Sequence, residues 1–134
     1  MSNQASTQLL VPSSLAKPVG YSHVAVVPAG TFIYISGQIS QDSAGNLVGQ
    51  GDFRAQVEQV FKNLKAALEA AGASFHDVFK MNSYFLDLGN LGVYREVRNQ
   101  YIDVSKPPAS TAVQVSKLVH PDFLIEIEAI AVLR

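Results

Sequence analysis

The chain has 134 residues, a mass of 14.4 kDa and a formal net charge of −1 at pH 7, with 48% hydrophobic and 16% charged residues. These values indicate a single globular domain rather than a disordered chain. Ten Lys and Arg against eleven Asp and Glu leave no basic surface for a phosphate backbone, so we expect no nucleic-acid partner. The absence of cysteine excludes disulfides, thiolate metal sites and a cysteine nucleophile.

The sequence also argues against a membrane partner. It contains no run of about 18 apolar residues that would span a bilayer. The first seven residues are polar and uncharged, so they lack both the basic segment and the apolar segment of a signal peptide. We therefore expect a cytoplasmic protein.

The N-terminal half is predicted to contain a polar arm, a hairpin and a helix. Residues 1–20 form the arm, in which Pro12 and Pro18 disfavour a helix, and a single domain follows over 21–134. Strand-like sequence over 24–27 and 31–35, separated by a turn at 28–30, predicts a β-hairpin. Residues 41–51 are rich in turn-forming residues, with an optional short strand over 46–48. A helix is predicted over 52–71, where apolar residues recur at helical spacing and Gly72 provides the stop.

The C-terminal half is predicted to alternate strands with one further helix. The expected elements are a strand over 78–86, a helix over 91–102 capped by Asn90, and strands over 111–115 and 124–133. Residues 106–109 contain two prolines and are predicted to form a rigid loop. The order predicts an α+β fold, a mixed sheet of five or six strands with two helices on one face.

Two predicted strands are apolar at nearly every position, namely 31–35 and 127–133. Such strands are typical of sheets that are buried on both faces. Two helices cover only one face, and no other residues remain to cover the second. The sequence therefore predicts that another copy of the chain covers it, in a homo-oligomer packed through its sheets.

Motifs for metals, phosphates and serine nucleophiles are missing from the sequence. The histidines, His23, His76 and His120, are widely separated and show no metal-binding spacing, so we expect no metal site. The glycines of 45–51 have the wrong spacing for a phosphate loop, and there is no Gly-x-Ser-x-Gly elbow. His23 stands beside Tyr21 at the start of a strand, either as a surface residue or as part of a cleft.

Two charged pairs remain as candidates for chemistry. Glu126 and Glu128 alternate along the last strand and therefore share one face of the sheet. Either this face lines a water-filled channel or an edge of the sheet, or one of the two glutamates has a chemical role. In the second case it orients a water molecule, or it stays protonated and donates a hydrogen bond. Arg95 and Arg98 lie three residues apart on one face of the second helix, which is either solvated or turned toward a ligand.

Taken together, the motifs resemble one family over nearly the whole domain, from Tyr21 to the C-terminus. They are Tyr-Ser at 21–22, Ile-Ser-Gly-Gln-Ile at 35–39, Gln56 and Asn-Leu at 63–64, Ala-Ala-Gly-Ala-Ser at 70–74, Pro-Pro-Ala at 107–109, and Leu-Ile-Glu-Ile-Glu-Ala-Ile-Ala at 124–131. This chain resembles the Rid family of imine and enamine deaminases, also called YjgF or L-PSP proteins. The resemblance implies a chorismate-mutase-like fold and a homotrimer whose sheets form a central barrel, with clefts between subunits.

The resemblance also implies a function and a set of site residues. The family's deaminases hydrolyse 2-aminoacrylate and its imine tautomers to 2-keto acids and ammonia without a cofactor. By this resemblance Glu126 holds the attacking water, while Tyr21 and the backbone at Gly37 complete the cleft. The arginine that binds the substrate carboxylate is replaced by Ser110. One hydroxyl hydrogen bond contributes about 1 kcal/mol and a charged bidentate contact roughly twice that, so affinity for a small carboxylate should be weaker.

Two further departures from the family pattern lie near the implied cleft. Arg95 stands where the family often has Asn, and we hypothesise that it supplies, alone or with Arg98, a displaced anchor for an acid. The alternative is that Arg95 is solvated or pairs with Glu96 or with an acid of a neighbouring chain. His23 replaces a residue that is commonly Gln and would add a titratable group.

The sequence thus favours a hydrolytic deaminase acting on an imine, an enamine or a related amino-acid breakdown product, with altered specificity. Its expected partners are a small carboxylate-bearing metabolite and other copies of the same chain. A non-catalytic trimer that binds or senses a metabolite is the alternative. An older description of the family, as ribonucleases or translation inhibitors, is disfavoured by the net charge of −1.

Overall fold

The computed structural model describes residues 6–134 and confirms the α+β class. Six strands and two α-helices form in this part of the chain: β1 (Gln8–Leu10), β2 (Val24–Val26), β3 (Thr31–Gln38), α1 (Phe53–Ala70), β4 (Val78–Phe85), α2 (Leu91–Arg98), β5 (Ala109–Gln114) and β6 (Ile125–Leu133). Short 3₁₀ helices at Phe75–Asp77 and Leu88–Asn90 lead into β4 and α2.

The six strands divide between two sheets. The main sheet has the order β3-β6-β4-β5, in which only β4 and β5 are parallel, and β1 pairs with β2 in a separate antiparallel sheet. The predicted hairpin between β2 and β3 is therefore wrong. Strand β6 is apolar enough to lie inside the sheet, where it pairs with both β3 and β4. The short strand expected at 46–48 is reduced to one bridge between Gln41 and Leu47.

Helix α1 confirms its prediction to within one residue at each end. Asp52 caps its N-terminus by accepting a hydrogen bond from the Ala55 amide at 3.1 Å. Its apolar stripe, Phe53, Val57, Val60, Phe61, Leu64 and Leu68, is buried. Gly72 ends the helix with φ +75°, a conformation that suits glycine.

Helix α2 is shorter than the sequence predicts, because it ends at Arg98 rather than at residue 102. Beyond it the chain tightens into bonds that span three residues, from the Gln100 amide to the Val97 carbonyl and from the Tyr101 amide to the Arg98 carbonyl. Such tightened turns are common at helix ends. The apolar positions that suggested a longer helix still pack against the core, since Ile102 is buried.

The core lies between the two helices and one face of the main sheet. Along β6 the buried residues Ile125, Ile127 and Ala129 face the helices, while Glu126 and Glu128 point to the opposite face. Strand β3 contributes Phe32 and Tyr34, which are 48% and 76% exposed. We call this second side of the sheet the open face. Nothing in residues 6–134 covers it fully, as the apolar pattern of the strands predicted.

The N-terminal arm is partly ordered against the domain. Residues 1–5 of the arm lie outside the described residues, and Gln8–Leu10 forms β1, which the sequence analysis did not anticipate. Ser22 then fixes the chain to the start of β5, because its amide donates to Pro108 O at 3.1 Å and its hydroxyl to Pro107 O at 2.6 Å. No helix among residues 6–134 is long and apolar enough to cross a membrane.

Candidate functional site

A cleft of about 300 Å³ lies between helix α2, strand β5 and the segment 19–21 that precedes β2. It contains three of the predicted site residues, Tyr21, Ser110 and Arg95, together with Arg98. The remaining lining residues are apolar or neutral: Val19, Leu91, Tyr94, Thr111 and Ala112. We call it the arginine cleft. The structure therefore brings together residues that are 89 positions apart in the sequence, from Tyr21 to Ser110.

Local structure explains how these side chains meet. Ser110 is paired with Met81 of β4, whose side chain is buried in the core, so Ser110 lies on the helix side of the sheet. The Ser22 hydrogen bonds to residues 107–108 bring the preceding Tyr21 to the same end of β5. Beneath them the buried Tyr94 hydroxyl lies 2.8 Å from Ser83 Oγ. Burial raises the pKa of Tyr94, so this phenol stays neutral and can donate.

Arg98 is the most buried charged residue at the site, with 5% of its surface exposed. Its Nε and Nη2 both donate to Asn99 Oδ1 at 3.1 Å, and its Cζ lies 5.7 Å from the centre of the Tyr94 ring. Burial lowers the pKa of Arg98, and the nearby charge of Arg95 lowers it further. The interpretation of this helix face as solvated is wrong for Arg98.

Arg95 is half-buried at the same cleft. The alternative pairing of Arg95 with Glu96 does not form, since Glu96 pairs with Arg54 of α1. Among residues 6–134 no carboxylate lies within ion-pair distance of Arg95 or Arg98. The sequence had pointed to Arg95 first and to Arg98 only as its companion. No local pattern in the sequence indicated that Arg98 would be the buried member of the pair.

His23 does not line the arginine cleft. Its ring contacts the Tyr21 ring edge-on, with centroids 5.4 Å apart, and its Nε2 lies 2.5 Å from Ala16 O. In this chain His23 therefore packs behind Tyr21 and joins it to the arm, instead of facing the cleft.

Glu126 and Gly37 lie together on the open face. The register of β3 and β6 shifts between Ile35 and Gln38, so Ser36 and Gly37 both stand opposite Glu128. This β-bulge brings the Gly37 backbone against the neighbouring carboxylate. A Cβ built on Gly37 would overlap Glu126 Oε2 and lie 2.7 Å from its Cδ. Only glycine leaves the Glu126 carboxylate in this place.

The two glutamates of β6 have different surroundings. Glu128 Oε1 accepts from the Tyr84 hydroxyl at 2.6 Å and from Asn82 Nδ2 at 3.2 Å. Among residues 6–134 no side chain donates a hydrogen bond to Glu126. Burial raises the pKa of Glu126, and the charge of Glu128 raises it further. Glu126 is thus the carboxyl that is free to bind water and exchange a proton.

Within one chain these two groups of residues lie on opposite sides of the sheet. Ser110 pairs with Met81, and Glu126 pairs with Tyr84, three residues along the same strand. Because side chains alternate along a strand, an odd separation places them on opposite faces. The predicted site residues thus form two half-sites, Tyr21 with Ser110 and Arg95, and Gly37 with Glu126.

The described residues hold no group of three or more His, Cys, Asp and Glu that would bind a metal ion. The side chains gathered here supply hydroxyls, guanidinium groups and a carboxyl with a raised pKa.

Comparison with known proteins identifies the family of this chain. The model of the endoribonuclease L-PSP family matches residues 12–133. The chain belongs to this family. Among its L-PSP relatives, a RutC family protein of Pyrococcus horikoshii is 42% identical over 125 residues, which cover 92% of this chain and 96% of the relative. A protein of Dermatophagoides farinae named 2-iminobutanoate/2-iminopropanoate deaminase is 32% identical over 130 residues, covering 96% of this chain and 98% of that one.

The fold is shared with solved L-PSP structures. The crystal structure of a Rid protein from Yersinia pestis, described as being of unknown function, matches with a TM-score of 0.85 at 32% identity. The match covers 95% of this chain and 98% of that chain. The family and fold expected from the sequence motifs are thus confirmed.

Proposed function

We propose that this protein is a hydrolytic deaminase that converts an imine, or the enamine that tautomerises to it, into a keto acid and ammonia. The observation that carries the proposal is Glu126, a carboxyl with a raised pKa that lies against the Gly37 bulge and accepts no hydrogen bond from a side chain of residues 6–134. The name of the Dermatophagoides farinae relative supports the same reaction class.

Glu126 would act first as a general base and then as a general acid. Its carboxylate takes a proton from water as the water oxygen bonds to the carbon of the protonated imine, which gives a neutral carbinolamine. The protonated Glu126 then gives this proton to the nitrogen. The C–N bond breaks and ammonia leaves, while the hydroxyl of the carbinolamine loses its proton to the Glu126 carboxylate and the C=O bond of the keto acid forms. A carboxyl whose pKa is raised toward the working pH serves both steps well.

We propose that the hydroxyls of Tyr21 and Ser110 contact the substrate from the other half-site. Both line the arginine cleft. Because the two half-sites lie on opposite sides of one sheet, a complete site needs the cleft of one copy to meet the open face of another. This requirement supports the homotrimer that the resemblance implies, in which the open faces, with Phe32 and Tyr34, pack together. Sedimentation should give three times the 14.4 kDa of the chain.

The test is release of ammonia and keto acid from 2-aminoacrylate and from longer 2-imino acids, each generated in situ by an amino-acid lyase or oxidase. We expect Glu126→Gln to lower kcat by about 10²-fold or more, the usual contribution of a general acid–base group. The matched control is Glu69→Gln, an exposed glutamate on α1. If Glu126→Gln keeps full activity on a substrate that the natural protein hydrolyses, the assigned role of Glu126 is wrong.

The presence of Ser110 favours a second candidate, a trimer that binds a metabolite without turnover. A serine hydroxyl holds a small carboxylate less strongly than an arginine would. The Ser110→Arg variant separates the two candidates on 2-aminoacrylate. Activity in this variant alone would show that Glu126 works and that the natural substrate is a different acid. No release by either protein from any imine, with keto acids still binding, would favour the binding function.

A further inference from the structure

The arginine cleft has an unbalanced charge. Two guanidinium groups, those of Arg95 and Arg98, line it, and no acidic residue does. The nearest acid along the helix, Glu96, points away to pair with Arg54. Within residues 6–134 the cleft therefore carries two positive charges without a counter-ion, beside the neutral hydroxyls of Tyr21 and Ser110.

The guanidinium group of Arg98 is buried and still has hydrogen-bond donors available for a ligand. A buried charge is costly unless it is paired and hydrogen-bonded. Yet only 5% of this residue is exposed, and its two hydrogen bonds share the single oxygen Asn99 Oδ1. A guanidinium has five N–H donors in a planar fork that fits a carboxylate. Apart from Asn99 Oδ1 and the neighbouring Tyr94 hydroxyl, the side chains of the described residues leave this fork unused.

The backbone makes room for this guanidinium. Gly20 has φ +74°, and a Cβ there would overlap Nη2 of Arg98 and lie 3.1 Å from its Cζ. The Tyr94 ring also packs near the group, with its centre 5.7 Å from Cζ. Arg98 is thus enclosed by its neighbours where it lines the cleft, and only 5% of it is exposed.

Arg95 adds a second, less buried charge three residues away on the same helix face. Two like charges in one cleft repel each other, and a ligand with one negative charge would neutralise only one of them. A ligand with two acid groups would neutralise both. The charge count of the cleft therefore points to a dianion.

We propose that the arginine cleft binds a dicarboxylate, the imine or enamine of a keto dicarboxylic acid. Arg98 binds the carboxylate next to the reacting carbon and Arg95 binds the distal one. This inference rests on the proposed deaminase function for the imine group, and on the cleft alone for the two acid groups. It makes Arg95 the residue that determines specificity and Arg98 the general anchor for the acid.

The test is the affinity of the full chain for two five-carbon keto acids, measured by titration calorimetry. The probes are 2-oxoglutarate, with two carboxylates, and 2-oxopentanoate, with one. We expect the natural protein to bind 2-oxoglutarate at least about tenfold more tightly, as one added charged contact implies. Arg95→Gln should remove this preference and change the affinity for 2-oxopentanoate far less than the affinity for 2-oxoglutarate. Arg98→Gln should weaken binding of both, and Lys62→Gln, an exposed cation on α1, should change neither.

Because Arg98 is buried, thermal unfolding must show that Arg98→Gln is still folded. A second variant, Arg98→Lys, keeps the positive charge but lacks the planar guanidinium. The comparison between the natural protein and Arg95→Gln needs neither of these Arg98 variants. Equal affinity of the natural protein for both acids, or an unchanged preference in Arg95→Gln, overturns the proposal. The probes need no turnover. A dicarboxylate preference without ammonia release from any imine would therefore refute the deaminase and keep the dianion site, whereas hydrolysis confined to monocarboxylic imines would do the reverse.

Discussion

Gly37 matters to the site because it has no side chain. Its place in the β-bulge lets the Glu126 carboxylate lie where any Cβ would displace it. The backbone of Gly37 does not have a positive φ, so alanine would be tolerated there conformationally. The effect of a substitution should therefore fall on the carboxylate and not on the turn.

We predict that Gly37→Ala lowers kcat/KM at least about tenfold, because the added Cβ would force the Glu126 carboxylate out of its position beside the bulge. The control is the same substitution at Gly92 of α2, where a Cβ would meet nothing within 4 Å. Gly92→Ala should keep activity and stabilise the fold slightly, because alanine favours the helical conformation and Gly92 lies in the first turn of α2 rather than in its interior. Steady-state kinetics and urea unfolding of both variants provide the check, and equal kinetics in the two would refute the argument.

At this scale the sequence indicated some features of the candidate site and not others. Glu126 stands out in the sequence, because a charge that alternates with isoleucines in a buried strand is unusual. The burial of Arg98 does not stand out, because a cationic residue near a helix end normally lies in solvent. What buries it is the approach of Gly20 from the N-terminal arm, a contact between segments 78 residues apart that no local pattern encodes.

Among the elements, helix α1 connects the core with the loop before β6, the strand that carries Glu126. Its Gln56 is fully buried and bonds with both ends of its amide, donating to Gly49 O and Asp122 O and accepting from the Leu124 amide at 2.9 Å. These bonds hold the loop that leads into β6, and so the start of the strand that carries Glu126. The stability of α1 therefore bears on the position of the candidate base.

We predict that Asp52→Ala destabilises the protein by about 1 kcal/mol, because it removes the side-chain acceptor that caps the Ala55 amide at the start of α1. Asp52→Asn should retain most of the stability, since asparagine caps as well as aspartate. The free energies of unfolding in urea measure both. An equal loss in the two variants would mean that the charge, and not the cap, supports the helix.

The bounds of some elements could be predicted from local sequence, but the pairing of the strands could not. The bounds of α1, β4 and β6 follow from local signals, apolar spacing and turn residues, and were predicted to within one residue. The partner of β2 was not, because two adjacent strands joined by a turn normally pair with each other. Here β3 pairs with β6, about a hundred residues later, and β2 pairs with β1. The pairing of distant strands depends on how all the strands of the sheet compare in apolar character, and a local sequence pattern does not show this comparison.

For the whole molecule, Glu126 links stability to pH. Its pKa is raised above the ordinary value of 4.5 by burial and then by Glu128, so the folded state holds this proton to a higher pH than the unfolded state. Between those two pKa values the folded state binds more protons, and its stability falls as the pH rises. Below 4.5 the carboxyl is protonated in both states, and this contribution is constant.

We predict that the difference in unfolding free energy between the natural protein and Glu126→Gln becomes less favourable to the natural protein as the pH rises from 4.5 through the raised pKa, and levels off above it. Urea unfolding at a series of pH values measures this. Subtracting the variant removes the titration of other groups, such as Asp103, whose pKa is lowered by its bonds to Ser105. A difference that stays flat, or rises with pH, contradicts the argument.

The placement of the half-sites on opposite sides of one sheet has a genetic consequence. If each site is formed by two copies of the chain, a copy with an inactivating substitution on its open face still contributes an intact arginine cleft to the site it forms with its neighbour. Two inactive variants, one in each half, would then restore sites when co-assembled, at about a quarter of the interfaces in a random mixture. In a cell that carries two alleles, a lesion at Glu126 and a lesion at Tyr21 would complement each other, although neither allele alone supports the reaction.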